Sequence, residues 1–512
     1  MTHKTTVDLD PSNKDYAIFL PSISGFYNTF ISKQQQEEYV PLNRIPTEFE
    51  NGIEGLNFLN KDKAYFHYSH ALYSAGHAQL DVTKSLDQEA MVQKRDRNGT
   101  FILGDSGGFQ IGKGVINFDW QRFWEKQGDA GYVGTADKTR MAILNWLEFT
   151  ADYSMILDIP SWAAAPINQQ RTGLKDFNDC LQGTLFNNDF FVRNRLGNTK
   201  FLNVLQGGNN VDAEIWYEAV KHFPFEGWAM GGNNMRDADL MLRRLIKLRD
   251  EKLLEPGRDV IHFLGTSKLE WACVLTAVQR NLRQHVNENM KVTFDCASPF
   301  LATAYGQVYT QHVHQNDRFS YIMTKAIDNK KLSGSKIAWP WGSPVGERMT
   351  MGDLCYYAPG MLNKLGKEGK TSWDSFSYFL MMGHNVYQHI ESVQRANALA
   401  DTASCIHQPD PSAWHKVTKK GQDEFSEWVP RNVIYMNELV NRVFTSQTPY
   451  TELDKAQALL ADFNGKKTLK SSVAGFNSLF ETVSAGSDND SDMFDDPETI
   501  ENGEQMLEGM LK

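Results

Sequence analysis

The sequence predicts an α/β chain whose main body is a (β/α)8 TIM barrel, carrying an additional helical region and a disordered acidic C-terminal tail. Three observations predict it. From about Asp15 to Ala297, short runs rich in β-branched and aromatic residues alternate eight times with longer amphipathic stretches. Polar and glycine residues collect at the carboxyl ends of those runs, where a barrel places its chemistry. The last stretch, Ser487 to Lys512, holds nine Asp or Glu against one Lys, a balance that argues for disorder. An open doubly wound sheet shares the same local alternation, so the two architectures stay open at this level.

In order, the predicted strands are Tyr16 to Leu20, Ala64 to Tyr68, Phe101 to Gly104, Ser154 to Asp158, Phe201 to Gln206, Gly227 to Gly231, Val260 to Gly265 and Lys291 to Asp295. Between them, stretches such as Asp212 to His222, Asp237 to Leu254 and Lys268 to Val286 place apolar residues at i, i+3 and i+4 with charges between, as amphipathic helices do. After Ala297 the text changes. Lys325 to Lys336 is a lysine-rich loop, Trp339-Pro340-Trp341-Gly342-Ser343-Pro344 a rigid aromatic one, and Ser372 to Ala400 reads as a helix. Asp401 to Ala413 is a polar break, and Trp428 to Leu460 reads as helix. The expected division is a barrel over 15–400 with an insertion around 300–370, a helical region over 401–484 and a tail over 485–512.

The 512 residues are 41 % hydrophobic, 22 % charged and 12 % aromatic, the profile of a globular protein. No apolar run approaches the roughly 18 residues of a membrane span, and Met1 to Asp15 carries no signal-like apolar segment. The expected location is the cytoplasm. Five scattered cysteines, Cys180, Cys273, Cys296, Cys355 and Cys405, are odd in number and fit a reducing compartment. The net charge of -11 disfavours nucleic acid at first sight. Most of it belongs to the tail, however, and the nearly neutral body can carry a local basic groove.

The polar strand ends are Gly104-Asp105-Ser106-Gly107-Gly108, Asp158, Gln206-Gly207-Gly208, Gly231-Gly232-Asn233-Asn234, Gly265-Thr266 and Asp295-Cys296. Any one of them is explained by a turn glycine or a helix N-cap. Together they would converge on one pocket. Gly107 to Gly114 is one residue short of a phosphate-binding P-loop, because Gly114 stands where Ser or Thr must hold magnesium, and this argues against a nucleotide triphosphatase. Chemistry at a glycosidic carbon needs two carboxylates, and Asp105, Asp158 and Asp295 offer three.

Asp105-Ser106-Gly107-Gly108-Phe109-Gln110, Leu205-Gln206-Gly207-Gly208, Met230-Gly231-Gly232, Phe263-Leu264-Gly265 and Phe294-Asp295-Cys296, in this order and spacing, resemble the tRNA-guanine transglycosylase (queuine tRNA-ribosyltransferase) family over roughly Asp15 to Ala297. The resemblance implies that Asp295 is the nucleophile that attacks C1′ and holds the sugar covalently, and that Asp105 is the acid/base serving the departing and incoming bases. It implies that Asp158 grips the base edge, that Gln206 and a backbone N–H of Gly231 or Gly232 meet its polar atoms, and that Phe109 and Leu264 sandwich its plane. Ser106 belongs to the same expected pocket. Asn233 stands where the family has an apolar residue.

Departures shift the expected substrate. The family's Cys-x-Cys-x-x-Cys zinc cluster is missing; Gly383-His384-Asn385 resembles the segment around its zinc histidine, and Cys355 matches one cysteine by spacing. A structural zinc on Asp353, Cys355 and His384 and a lost site are both open, with Cys405 and His407 a weaker substitute pair; the chemistry itself requires no cofactor. Asp295 is followed by Ala297-Ser298-Pro299-Phe300 rather than the Pro-Thr-Arg of enzymes that act on tRNA. The resemblance is therefore closest to the DNA-modifying branch, phage and bacterial enzymes that exchange guanine in DNA for a 7-deazaguanine. The expected partners are DNA and a free 7-deazaguanine base, with tRNA less favoured and no membrane. Candidate DNA contacts are the lysines at 325, 330, 331 and 336, the Trp339/Trp341 pair, and Arg236, Arg243 and Arg244. A transglycosylase of tRNA with a degenerate zinc site and a non-catalytic barrel scaffold are the alternatives.

Overall fold

The strands of this computed structural model are β1 (Val7–Asp8), β2 (Ile18–Pro21), β3 (Phe66–His67), β4 (His70–Ser74), β5 (Phe101–Asp105), β6 (Tyr153–Met155), β7 (Lys200–Leu205), β8 (Gly227–Met230), β9 (Val260–Phe263), β10 (Lys291–Cys296), β11 (Gln307–Gln315) and β12 (Arg318–Lys325). The structure describes residues 6–113, 135–315, 318–358, 371–402 and 429–465, with a few isolated positions besides.

β4, β5, β6, β7, β8, β9, β10 and β2 pair in parallel in that order. The two outermost strands of this sheet, β2 and β4, meet through one bridge between Ser22 and Leu72, reinforced by the Ile23 N–H donating to the Leu72 carbonyl at 2.9 Å. The result is an eight-stranded parallel sheet nearly closed into a barrel. An open doubly wound sheet would reverse its strand order, and this one does not. β7 and β8 are buried almost throughout, which is why their sequences, Phe201-Leu202-Asn203-Val204-Leu205 and Gly227-Trp228-Ala229-Met230, read as continuous runs rather than alternating ones.

Two predicted strands need correction. The run Ala64 to Tyr68 is not a barrel strand: its Phe66–His67 core pairs with Val7–Asp8 in a separate two-stranded ribbon, and the barrel's strand is His70–Ser74, in register with Phe101–Asp105. Two aromatic runs of similar composition lie on either side of Ser69, and only the choice of partner, a non-local matter, tells them apart. The run Ser154 to Asp158 is strand only as far as Met155, so Asp158 belongs to the loop beyond it.

The helices are α1 (Gly25–Gln36), α2 (Val82–Gln88), α3 (Ala90–Gln93), α4 (Gly108–Gly112), α5 (Thr135–Thr150), α6 (Pro166–Thr172), α7 (Phe177–Asn194), α8 (Asn210–Val220), α9 (Asn233–Arg236), α10 (Ala238–Asp250), α11 (Leu269–His285), α12 (Ser298–Ala304), α13 (Met351–Leu354), α14 (Ser375–Thr402), α15 (Arg431–Thr445), α16 (Pro449–Lys455) and α17 (Gln457–Phe463). Most of them follow a barrel strand. Side-chain caps start several: Asp176 accepts from the Asp179 N–H, Asn209 from that of Asp212 and Asp237 from that of Asp239.

α11 packs against α14 and α15 as well as the barrel, and almost every residue from Leu269 to Leu282 is buried. Its sequence explains this, since Leu269 to Val278 is apolar on nearly every side. After α12, β11 and β12 form an antiparallel hairpin that packs on α14. A buried ion pair ties the start of α14 to the segment after α1: Arg44 donates to both carboxylate oxygens of Asp374 at 2.8 Å, and its guanidinium lies over the rings of Tyr356 and Phe376. The expected helical run Trp428 to Leu460 is broken into α15, α16 and α17. The Cys405/His407 pair and nearly all of the 485–512 tail lie outside the described residues. No helix among the described residues is long and apolar enough to cross a membrane.

Candidate active site

Parallel strands point all their carboxyl ends one way, so Asp105 at the end of β5, Asp158 three residues past β6 and Asp295 near the end of β10 come to the same face. None of the three caps a helix. The helices that follow them are α4, the short 3-10 helix Ser161–Ala164 and α12; their N-caps are Gly107, Pro160 and Ala297, and none takes a side-chain cap. The helix N-cap explanation of an aspartate after a strand is therefore absent at these positions, while Asp176, Asn209 and Asp237 do serve as caps.

Each carboxyl sits in a distinct environment. Asp105 is held above the usual carboxylate range mainly by burial; the charge of Asp295 pushes the same way, and hydrogen bonds from Ser74 and the Gly107 N–H pull back. Burial pushes Asp158 up to about 7, against a hydrogen bond from Gln206, and the charge of Asp105 adds to the rise. Asp105 thus feels Asp295, and Asp158 feels Asp105, so carboxyls from three remote stretches share one electrostatic neighbourhood. Asp295 is a well-held carboxylate: its Oδ1 accepts from the Gly265 N–H at 2.9 Å and faces the His262 Nε2 at 3.2 Å.

The predicted pocket residues fall mostly around these carboxyls. Gln206 donates through Nε2 to Asp158 Oδ2 at 2.7 Å. Gly108 brings α4 against the loop after β6 so closely that a Cβ there would lie 2.6 Å from the Asp158 carbonyl. Gly232 adopts φ +56, and its missing side chain leaves room for Gly207 and Gln206. Ser106 is fully buried, with a hydroxyl that finds no hydrogen-bond partner among the described residues. Phe109 is half-buried beside Trp162, ring centroids 5.3 Å apart, and Leu264 is half-buried at the end of β9. The expectation for Gly231 is corrected: its N–H donates to the Leu205 carbonyl at 2.8 Å and is spent on the sheet, so of the glycine pair Gly232 is the one with an N–H to offer. Asn233 donates to the Gly208 carbonyl and pins the neighbouring loop.

Sequence reasoning missed three residues here. Ser74 ends β4 directly beside Asp105 and donates to its Oδ2. His262 interrupts the apolar strand Val260-Ile261-His262-Phe263, and that interruption was the available signal. Trp162, which packs on Gly112 and Phe109, lies in the short 3-10 helix Ser161–Ala164 and carried none.

The zinc expectation does not fit these residues. His384 spends both ring nitrogens, Nδ1 on the Ser343 hydroxyl at 2.8 Å and Nε2 on the Tyr309 carbonyl at 2.7 Å. The Cys355 thiol donates to the Ile327 carbonyl, and Asp353 forms a capping box with Thr350. Among the described residues, the cluster with ligand atoms close enough for a metal is Asp8, Asp10 and His67, near the amino end of β4 and away from the aspartates. The arginine expectation also changes: Arg244 is buried over the Tyr217 ring and paired with Glu214, and Arg243 is paired with Asp239 and Asp454. Trp339 is a core residue, packed edge-on against Trp341 and His384. Set against known proteins, the chain matches no family model and no curated sequence.

Proposed function

We propose that the protein is a DNA-guanine transglycosylase, exchanging guanine in DNA for a free 7-deazaguanine base by double displacement. The observation that carries this reading is the trio Asp105, Asp158 and Asp295 at the carboxyl face of a barrel, none of them capping a helix, where the Asp295 charge raises the Asp105 carboxyl and the Asp105 charge raises that of Asp158. Asp295 contributes an electron pair from a carboxylate oxygen to C1′. The bond from C1′ to the guanine ring nitrogen breaks, its electrons leave with the base, and Asp105 supplies the proton that neutralises it. Burial suits Asp105 to that role, because raising the carboxyl above its usual range favours its protonated form. The incoming base then surrenders its ring N–H proton to Asp105 and bonds to C1′, and the ester electrons return to Asp295.

Asp158 and Gln206 present an acceptor and an amide to the base edge. The Gly232 N–H, which makes no backbone hydrogen bond among the described residues, supplies a further polar atom for a bound purine. A target guanine in a duplex has to be unstacked first, at a cost of a few kcal/mol. The test is to incubate the protein with radiolabelled guanine and, side by side, duplex DNA and tRNA. The expected outcome is label entering DNA, abolished in Asp295→Ala. Label in tRNA alone moves the assignment to the RNA enzymes, and label in neither refutes it.

A further inference from the structure

His262 lies on β9, one strand over from Asp295 and directly beside Thr293 in register. Its imidazole is completely buried. One ring nitrogen, Nδ1, is 2.9 Å from the Thr293 hydroxyl, and the other, Nε2, is 3.2 Å from Asp295 Oδ1. A carboxylate only accepts, so Nε2 carries the proton; Nδ1 then accepts, and the Thr293 hydroxyl donates to it. The chain of donors runs one way, from Thr293 through His262 to Asp295.

The Gly265 N–H ends on the same carboxylate oxygen, at 2.9 Å. Oδ1 therefore takes two N–H donors, whereas Oδ2 meets no donor among the described residues. We propose that His262 is a positioning residue: with the Gly265 N–H it clamps Oδ1 and presents Oδ2 as the single oxygen free to bond to a sugar carbon. This rests on the base-exchange reading and adds to it which oxygen attacks and what holds it. When Oδ2 bonds to C1′, Oδ1 becomes the carbonyl oxygen of the ester. The same two donors polarise that carbonyl, and they stabilise the carboxylate that re-forms when the incoming base takes C1′ and the C1′–Oδ2 electrons return to Asp295. Buried beneath the carboxyl, His262 acts through Asp295 alone.

The test has an arm that does not depend on activity. Nitrogen-15 NMR of histidine-labelled full-length protein is expected to show His262 as the Nε2–H tautomer, with a signal that shifts in Asp295→Ala. A His262 signal in the other tautomer, or one indifferent to Asp295→Ala, overturns the proposal. In the kinetic arm, His262→Phe is expected to lower kcat for base exchange about 100-fold while KM for the polynucleotide changes less than about threefold. His262→Gln, whose amide reaches the same oxygen, is expected to recover at least about tenfold of that loss. Equal rates for the Phe and Gln variants, both folded by circular dichroism, overturn the proposal. Should His262→Phe fail to fold, Thr293→Val is the second variant; it removes the hydroxyl that sets the tautomer, and an unchanged kcat and His262 signal there overturn it equally. If wild-type protein exchanges no base, the underlying reading falls, and the NMR arm still decides whether His262 holds Asp295.

Discussion

Asp158 carries a conflict between folding and binding. Burial raises its carboxyl to about 7, so ionising it costs stability: the stabilising, protonated form is fully present below the unfolded value near 4 and is lost as pH rises through about 7. Asp158→Asn removes that cost and keeps an oxygen for Gln206. Thermal denaturation at pH 8 is expected to show the variant more stable than wild type by about 1–3 kcal/mol, with the difference shrinking toward pH 5, while base exchange falls. The same titration predicts that a base offering N–H donors binds more weakly below pH 7, where the free carboxyl is protonated, and isothermal titration of free guanine across pH 5.5–8.5 would check it. For Asp105, the Asp295 charge is one of the causes that hold its carboxyl up. Neutralising that charge in Asp295→Asn is expected to bring the Asp105 titration down, as read by carbon-13 NMR of labelled aspartate. A titration that stays put would mean that the two groups do not communicate.

Among the elements, close backbone approach decides where α4 sits. α4 reaches the loop after β6 because Gly108 has no side chain; adding one places a carbon 2.6 Å from the Asp158 carbonyl, a backbone atom with nowhere to go. Gly108→Ala is expected to cost about 1–3 kcal/mol in denaturant melts and to depress base exchange by shifting Asp158. The sequence made most of this layer readable. Seven of the eight predicted strands are present because parallel strands buried on both faces leave continuous apolar runs. The eighth, Ala64 to Tyr68, failed because run composition says nothing about which strand it will pair with. The candidate acids were readable too, since Asp105, Asp158 and Asp295 each stand at or just past the carboxyl end of a strand. Of the residues that contact these acids, His262 left only the interruption of an apolar strand as its signal, and Ser74 left none, because a serine beside an aspartate across two strands exists only after folding.

For the whole molecule, the barrel and the later helices are one packed body rather than a core with an ornament. α11 gives one face to the barrel and others to α14 and α15, where Val433, Met436, Leu439 and Val440 are buried. Ending the chain before Val429 would bare that surface, and the expected result is loss of soluble protein, scored by the yield in the supernatant after lysis; full recovery with an unchanged Tm would show the helices to be dispensable. At this scale, too, the residues named for zinc do not fit a metal site. A histidine matched by its sequence neighbours turned out to be wedged between Ser343 and Tyr309, segments that the local sequence does not place beside it.

The ring of strands has one weak joint, the lone bridge between Ser22 and Leu72. Counting outward from that seam, Asp105 stands on the second staff to one side and Asp295 on the second to the other, whereas Asp158 and Gln206 share the uninterrupted arc. Any breathing of the joint would therefore change the gap between the two proposed acids more than that between Asp158 and Gln206, so the tightness of this stitch bears on how far apart Asp105 and Asp295 stand.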